Sequence, residues 1–438
     1  MSTVLFLKVA ALFLLLSLPL PALPVGQSHQ FVTTSGPSFV LNNGKPFRFA
    51  GTNNYYLSYQ DRYMVEDVFR RAAQHNFTVI RTWAFLDVGY TDGSASVGGG
   101  PKNGVWFQGM DNTTLRIVYS DAGLQHLDYV LLLAAQYKIR LILALTNNWA
   151  DFGGVDQYVR WELQANASYT DAHHDDFFIR EYQISAYLAY ASMLVNRKNS
   201  ITGLAYKDDP AIFAWELMNE PRCQGSGAYP STNNCTLNYA KYKVPPVAFK
   251  ITPWVDRVST AIKAMDSNHL LAVGDEGFLC LEYQQCPDQS CDCYVGTDFQ
   301  AFTALPNIDF GSMHLYPESW GKAGNALEWG VEWVANHTSI AHGLGKPVLL
   351  GEFGIKAGQS DAYAAWGKAI VQGKTDGDLF WMLCGAQDYH NSNSGAPWYP
   401  NYDGFCVYCP NATEPSAPGD SQSCRVLTDH ANEMANAP

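Results

Sequence analysis

Apolar residues recur along this chain in two alternating patterns, short unbroken runs and longer stretches with helical spacing. The runs are Phe47–Gly51, Thr78–Trp83, Arg140–Leu145, Ile212–Leu217, Leu270–Val273, Asp309–His314, Pro347–Leu350 and Asp378–Met382. Runs this short and this apolar predict strands buried on both faces. Helical spacing appears between them over Val65–Ala73, Leu124–Tyr137, Asp175–Asn196, Trp254–Met265 and Asp361–Val371. Buried strands alternating with helices predict a parallel sheet, and eight of them close naturally into a (β/α)8 TIM barrel. An open doubly wound sheet is the alternative. It would place a glycine-rich phosphate turn after an early strand, and Gly51-Thr-Asn-Asn-Tyr-Tyr56 is not one.

Length and charge narrow this picture. The chain has 438 residues, 47% of them hydrophobic, and an α/β barrel with insertions reaches that size as one domain, so residues 27–438 are expected to form a single barrel domain. A net charge of −13 repels phosphate backbones, which excludes nucleic acid and anionic membrane as primary partners. Residues 1–26 read as a secretory leader. Lys8 precedes the apolar run Val9–Leu18, then come Pro19, Pro21, Ala22 and Gly26. The run falls short of the roughly 20 residues needed to span a bilayer. A secreted, extracellular monomer is the expectation. Six Asn-x-Ser/Thr sequons, at Asn76, Asn112, Asn166, Asn234, Asn336 and Asn411, agree with that compartment, Asn76 being the most doubtful because a strand-like run follows it.

Long loops are expected after the strands, at 84–123, 146–172, 219–251, 274–300 and 383–423. In a barrel they would line the C-terminal face, where function is built. Nine of the ten cysteines fall in those after strands four, five and eight, and Cys424 at the edge of the last. In an oxidising compartment they predict disulfides bracing that face, in pairings the spacing leaves open. Cys291-x-Cys293 and Cys406-x-x-Cys409 lack the histidine spacing of a zinc site.

Two strands end in acids, Glu220 in Trp215-Glu-Leu-Met-Asn-Glu-Pro-Arg222 and Glu352 in Gly351-Glu-Phe-Gly354. A carboxylate just beyond a buried strand points into the barrel mouth. Two of them about 5–5.5 Å apart can cleave a glycosidic bond with retention, one attacking the anomeric carbon and the other serving as acid and then base. Mutual repulsion would keep one protonated near neutral pH. Either acid could instead cap a helix or pair with a surface cation. Glu216 precedes its strand end and reads as an internal structural carboxylate. His173-His-Asp-Asp176 reads as a solvated helix start and not a metal site. His-Glu-x-x-His and Gly-x-Ser-x-Gly are both missing, so neither zinc hydrolysis nor serine-ester chemistry is indicated, and no metal or cofactor is expected.

These residues resemble glycoside hydrolase family 5, and within it the eukaryotic endo-β-1,4-mannanases. Supporting segments in the family's order are Phe49–Tyr56, Ile80–Phe85, Leu145–Trp149, His314–Tyr316 and Leu379–Trp381. The resemblance implies Glu220 as acid/base and Glu352 as nucleophile. It implies Asn219 on the 2-hydroxyl of the cleaved sugar, and Arg81 holding Glu352 ionised, with its pKa below that of its partner. Tyr316 would donate to Glu352, and His314 would orient the acid/base. Trp381 would be the floor under that sugar, with Trp83 also on the substrate side and Trp149 and Arg222 in further subsites. The implied substrate is a β-mannan polysaccharide. A β-glucan is the related alternative, and a non-catalytic carbohydrate-binding barrel the one from another class. The resemblance also leads one to expect an acid at Ala150.

Overall fold

The computed structural model describes residues 30–225, 227–232, 250–280, 295–387, 398–410, 414, 417–418 and 421–437. The expected leader lies outside them, as do Asn234, Asn411, Cys235, Cys286, Cys291 and Cys293.

All eight predicted runs are strands of one parallel sheet: β1 (Phe49–Asn53), β2 (Val79–Trp83), β3 (Arg140–Ala144), β4 (Ile212–Glu216), β5 (Leu270–Ala272), β6 (Gly311–Leu315), β7 (Val348–Phe353) and β8 (Gly377–Phe380). Every residue in them is buried, which is why they carry no alternation of apolar and polar positions. Ladders run from β5 through β4, β3, β2, β1, β8 and β7 to β6, the order of a TIM barrel. No ladder joins β5 to β6 among the described residues. There the wall is laced by Asp309, whose N–H donates to Leu271 O at 2.8 Å and whose Oδ2 accepts from Leu271 N at 2.7 Å. His314 N also donates to Glu276 O at 3.0 Å.

The helices that cover the sheet are α1 (Arg62–Gln74), α2 (Asp121–Tyr137), α3 (Gly154–Ala165), α4 (Glu181–Asn196), α5 (Ile251–Met265), α6 (Phe299–Ala304), α7 (Ala326–Gly343), α8 (Gln359–Gly373) and α9 (Ser421–Asn436). Polar side chains start several of them. Asp61 accepts from Met64 N at the head of α1, and Ser120 from Gly123 N at the head of α2. A hairpin of Val32–Ser35 and Ser38–Leu41 brings Phe39 against Phe49, Phe213 and Phe310, closing the end of the barrel opposite the functional mouth.

Four expectations are corrected. Segment 84–123 is not plain loop but carries a small sheet of Asp87–Tyr90, Gln108–Met110 and Ile117–Tyr119, in strands too short to show a period. Segment 146–172 contains α3, whose start is hidden because Gly153 and Gly154, both at positive φ, replace the usual polar cap. The cluster His173–Asp176 does start a helical turn, but it is not solvated. His174 and Asp175 are buried, with His174 bonded to Asp156 at 2.7 Å and to Asn148 at 3.0 Å, and Asp175 paired with Lys250 at 2.8 Å. The chain then breaks at Ile179-Arg180 before α4, so Asp175–Asn196 is not one helix.

Disulfides brace the functional face as expected: Cys384 pairs with Cys406 and Cys409 with Cys424, and Cys223 and Cys280 each belong to a disulfide as well. Cys406 and Cys409 are therefore not partners of each other. Asn112 and Asn336 are exposed, while Asn76 and Asn166 are half-buried.

Candidate active site

The C-terminal mouth of the barrel holds a cleft of about 620 Å³, lined by both predicted acids and by Trp83, Trp149, Asn219, Arg222, Tyr316 and Trp381. Arg81 and His314 lie fully buried immediately beneath. All ten predicted site residues thus come together.

Glu220 stands four residues past the end of β4, on a segment tied to both neighbours. Asn219 N donates to Thr146 O, and Glu220 N to Gly274 O at 2.8 Å. Its φ of 49° is left-handed, a conformation that costs a non-glycine residue about 1 kcal/mol or more and persists only where the surroundings impose it. Glu352 lies within β7 beside His314 of β6. The ladder slips register between Met313 and His314, and such an irregularity re-aims side chains, here into the mouth. One oxygen of Glu220, one of Glu352 and a ring nitrogen of His314 lie within 4.8 Å of one another.

Arg81 organises the floor. Its Nε and Nη2 grip Glu216, Nη2 also donates to Asn219 Oδ1 at 2.7 Å, and Nη1 donates to Asn53 Oδ1 at 3.1 Å and to Glu352 Oε1 at 2.5 Å. Every donor of a buried guanidinium is thereby used, which is what makes its burial tolerable. Glu216 is the internal carboxylate the sequence indicated. Tyr316 donates to Glu352 Oε2 at 2.8 Å, and His314 Nδ1 meets Glu220 Oε1 at 2.7 Å. Trp149 belongs closer to the chemistry than expected, because its indole N–H donates to Glu220 Oε2 at 2.6 Å. Arg222 grips Glu276 with two nitrogens and lies over the rings of Trp149 and Phe278.

The electrostatics of the two acids run through His314. Burial pushes both acids up. At Glu220 that is outweighed by the hydrogen bond and charge of His314, then by Arg222 and the Trp149 N–H, which bring it down to about 2. At Glu352 burial prevails over His314 and Arg81, with repulsion from Glu220 added, and the carboxyl is held above its ordinary value. The two carboxyls are thus pulled in opposite directions. Between them lies His314: burial opposes its charge, but Glu352 and Glu220 together hold its proton more tightly than usual.

Several cleft residues escape sequence reasoning. Glu276 and Asp403 line the cleft, as do Tyr55 and Asn147. Glu276 follows β5 and could have been found by the strand-end rule that found Glu220. Asp403 sits in an aperiodic loop whose one signal is the nearby Cys406. At Ala150 no acid is present, but Asp151 lines the cleft one residue on.

A closed parallel barrel whose mouth holds two acids this close, in a cleft walled by aromatic rings, defines a glycoside hydrolase. Comparison with known proteins agrees. Residues 29–404 match the family model described as GH family 5 beta-mannosidase-like, and the chain belongs to glycoside hydrolase family 5. It is 32% identical over 394 residues to mannan endo-1,4-beta-mannosidase A of Aspergillus aculeatus, covering 88% of this chain and 91% of that one. It is 33% identical over 378 residues to a probable mannan endo-1,4-beta-mannosidase A of Aspergillus flavus, covering 85% and 83%. Among solved structures, the endo-1,4-beta-mannanase of Rhizomucor miehei superposes with a TM-score of 0.76 at 36% identity, over 92% of this chain and 99% of that one.

Proposed function

We propose that this enzyme is a secreted, monomeric endo-β-1,4-mannanase that cleaves internal bonds of mannan, galactomannan and glucomannan by double displacement, with retention at the anomeric carbon. The observation that carries the retaining mechanism is the 4.8 Å limit on the Glu220, Glu352 and His314 atoms. That separation suits direct attack by one acid and leaves no room for the water an inverting pair must hold between them. The choice of mannan rests on the relatives' activities. Secretion is supported by the disulfides and by the leader-like residues 1–26, which would leave 27–438 as a single catalytic domain.

In the first step an oxygen of Glu352 attacks the anomeric carbon, the bond to the leaving sugar breaks, and Glu220 gives its proton to the leaving oxygen. In the second, Glu220 takes a proton from water, the water oxygen attacks the same carbon, and the bond to Glu352 breaks. Before the first step Glu220 needs a proton, and His314 Nδ1, 2.7 Å from its Oε1, is placed to supply one. Moving it across that bond leaves a neutral imidazole and a loaded acid. The same transfer takes away both the Glu220 repulsion and the His314 charge felt by Glu352, and leaves Arg81 and the Tyr316 hydroxyl to hold Glu352 ionised. Asn219 has a second amide hydrogen beyond the one it gives Asn147 at 3.0 Å, suited to the 2-hydroxyl. Trp381 and Trp83 offer apolar faces to the sugar.

The test is product release from locust bean gum, cellulose and other β-glucans, with the anomer followed by NMR and an activated 2-fluoro-mannoside used to trap the enzyme. The proposal expects cutting of mannan, a β-product and a label on Glu352, with Glu352→Ala inactive. Cutting of β-glucan alone would move the substrate. An α-product would remove the retaining mechanism, and binding without cutting would leave a carbohydrate-binding barrel.

A further inference from the structure

Asp403 is a cleft residue with no part in the chemistry above. Its Oδ2 accepts the indole N–H of Trp381 at 2.8 Å, and its Oδ1 accepts Phe405 N at 3.0 Å. Among the described residues no cation pairs with it. A carboxylate has room for about four hydrogen bonds, and two are used, while the residue forms part of the cleft wall beside Trp381 and Phe405.

The fold goes to some length to put it there. Trp381 lies three residues before Cys384, and Asp403 three before Cys406, and those cysteines are bonded to each other. The two segments also pair in parallel, Leu383 with Val407 and Cys384 with Tyr408, and Val407 N donates to Met382 O at 2.9 Å. Cys406 N donates to Asn401 Oδ1 at 3.0 Å, closing the turn that carries Asp403. The indole and the carboxylate are thus held in one register by a ladder and a covalent tie. Tyr55 extends the same wall, its ring 5.8 Å from that of Trp381 with the planes within 16°.

We infer that Asp403 is a substrate-binding and positioning residue on the nucleophile side of the cleft: it fixes the plane of the Trp381 indole and accepts a hydroxyl of the sugar that rests on it. This rests on the glycosidase reading of the same cleft. A sugar hydroxyl is a neutral donor, and a carboxylate is the stronger of the acceptors available to take it in competition with water. The two roles reinforce each other, because one group sets both the stacking face and a polar contact at its edge.

The test measures kcat and KM on mannohexaose for Asp403→Ala, Asp403→Asn, Trp381→Phe and the double variant Trp381→Phe with Asp403→Ala. Asp403→Ala is expected to raise KM about tenfold or more with a smaller change in kcat, the signature of lost binding shared by ground and transition states. Asp403→Asn keeps an oxygen for the indole and should recover most of that, remaining about threefold above the parent because the charge is gone. In the Trp381→Phe background, which lacks the N–H, removing Asp403 should still raise KM by about threefold, since the sugar contact survives. Unchanged KM in Asp403→Ala, or no further effect in the Trp381→Phe background, overturns the inference. If Asp403→Ala loses its native circular dichroism, Asp403→Asn decides alone, and an unchanged KM there overturns it. A parent enzyme inert on mannohexaose but active on a cello-oligosaccharide would instead fail the mannan reading, and the same four proteins would then be compared on that substrate.

Discussion

Asp275 offers a sharp test of how this active-site wall is held. It follows β5, buried beside His314, with Gly277 N donating to its Oδ2 at 3.2 Å. Burial pushes its carboxyl up from 3.8 to about 8, against the pull of the His314 charge and the Gly277 N–H. The unfolded chain gives up this proton near its ordinary value and the folded chain some four units later, so the folded state binds the proton more tightly. Its contribution to stability is fully present below about pH 4 and is lost as the pH rises to about 8. Asp275→Asn keeps the shape and an acceptor for Gly277 N but cannot ionise. Relative to the parent it should therefore gain stability with rising pH, by at most about 1.4 kcal/mol per pH unit across that window. For a chain of this size, with about 2.1 cal/mol/K of unfolding entropy per residue, that is about 1.5 °C of Tm per pH unit. Differential scanning calorimetry of both proteins at several pH values from 4.5 to 8 measures it. Parallel curves would refute the claim that Asp275 is held protonated in the folded enzyme.

Other consequences are quicker to check. Tyr316→Phe removes the 2.8 Å hydrogen bond to Glu352 and should lower kcat by roughly 10- to 100-fold, the worth of one charged hydrogen bond, with an unchanged circular dichroism spectrum. Replacing Cys384 and Cys406 together by serine opens a bridge between residues 22 apart and should cost about 2–4 kcal/mol, read as a lower urea midpoint. Gly330→Ala would bring a methyl to 2.3 Å from Trp366 Nε1, where α7 meets α8, and should destabilise by about 1–3 kcal/mol in the same assay without altering KM.

The barrel was legible because a strand buried on both faces needs an unbroken apolar run, and each of the eight runs is one. Glu220 and Glu352 were legible because they stand where such runs end. What escaped the sequence depends on contacts that spacing does not encode. Helix α3 begins at Gly153 and Gly154, whose positive φ angles do the work of a polar cap. His174 looks like a solvent-facing residue at a helix start until Asn148 and Asp156 are seen to enclose it. The coupling of the two acids turns on His314 lying between them, a relation among strands β4, β6 and β7. Asp403 depends on a disulfide whose partners were left open by ten cysteines, nine of them in three long segments.

The seam between β5 and β6 carries a consequence for heat tolerance. Seven junctions of the barrel are zipped by backbone ladders, while among the described residues this one shows Asp309 and a few single bonds, with Glu276 on one lip and His314 on the other. Amide exchange should be fastest here among the strands, and thermal opening should begin here. Engineering for a longer working life at high temperature would do best to add a tie across Leu271 and Phe310, far below the sugar and clear of both glutamates.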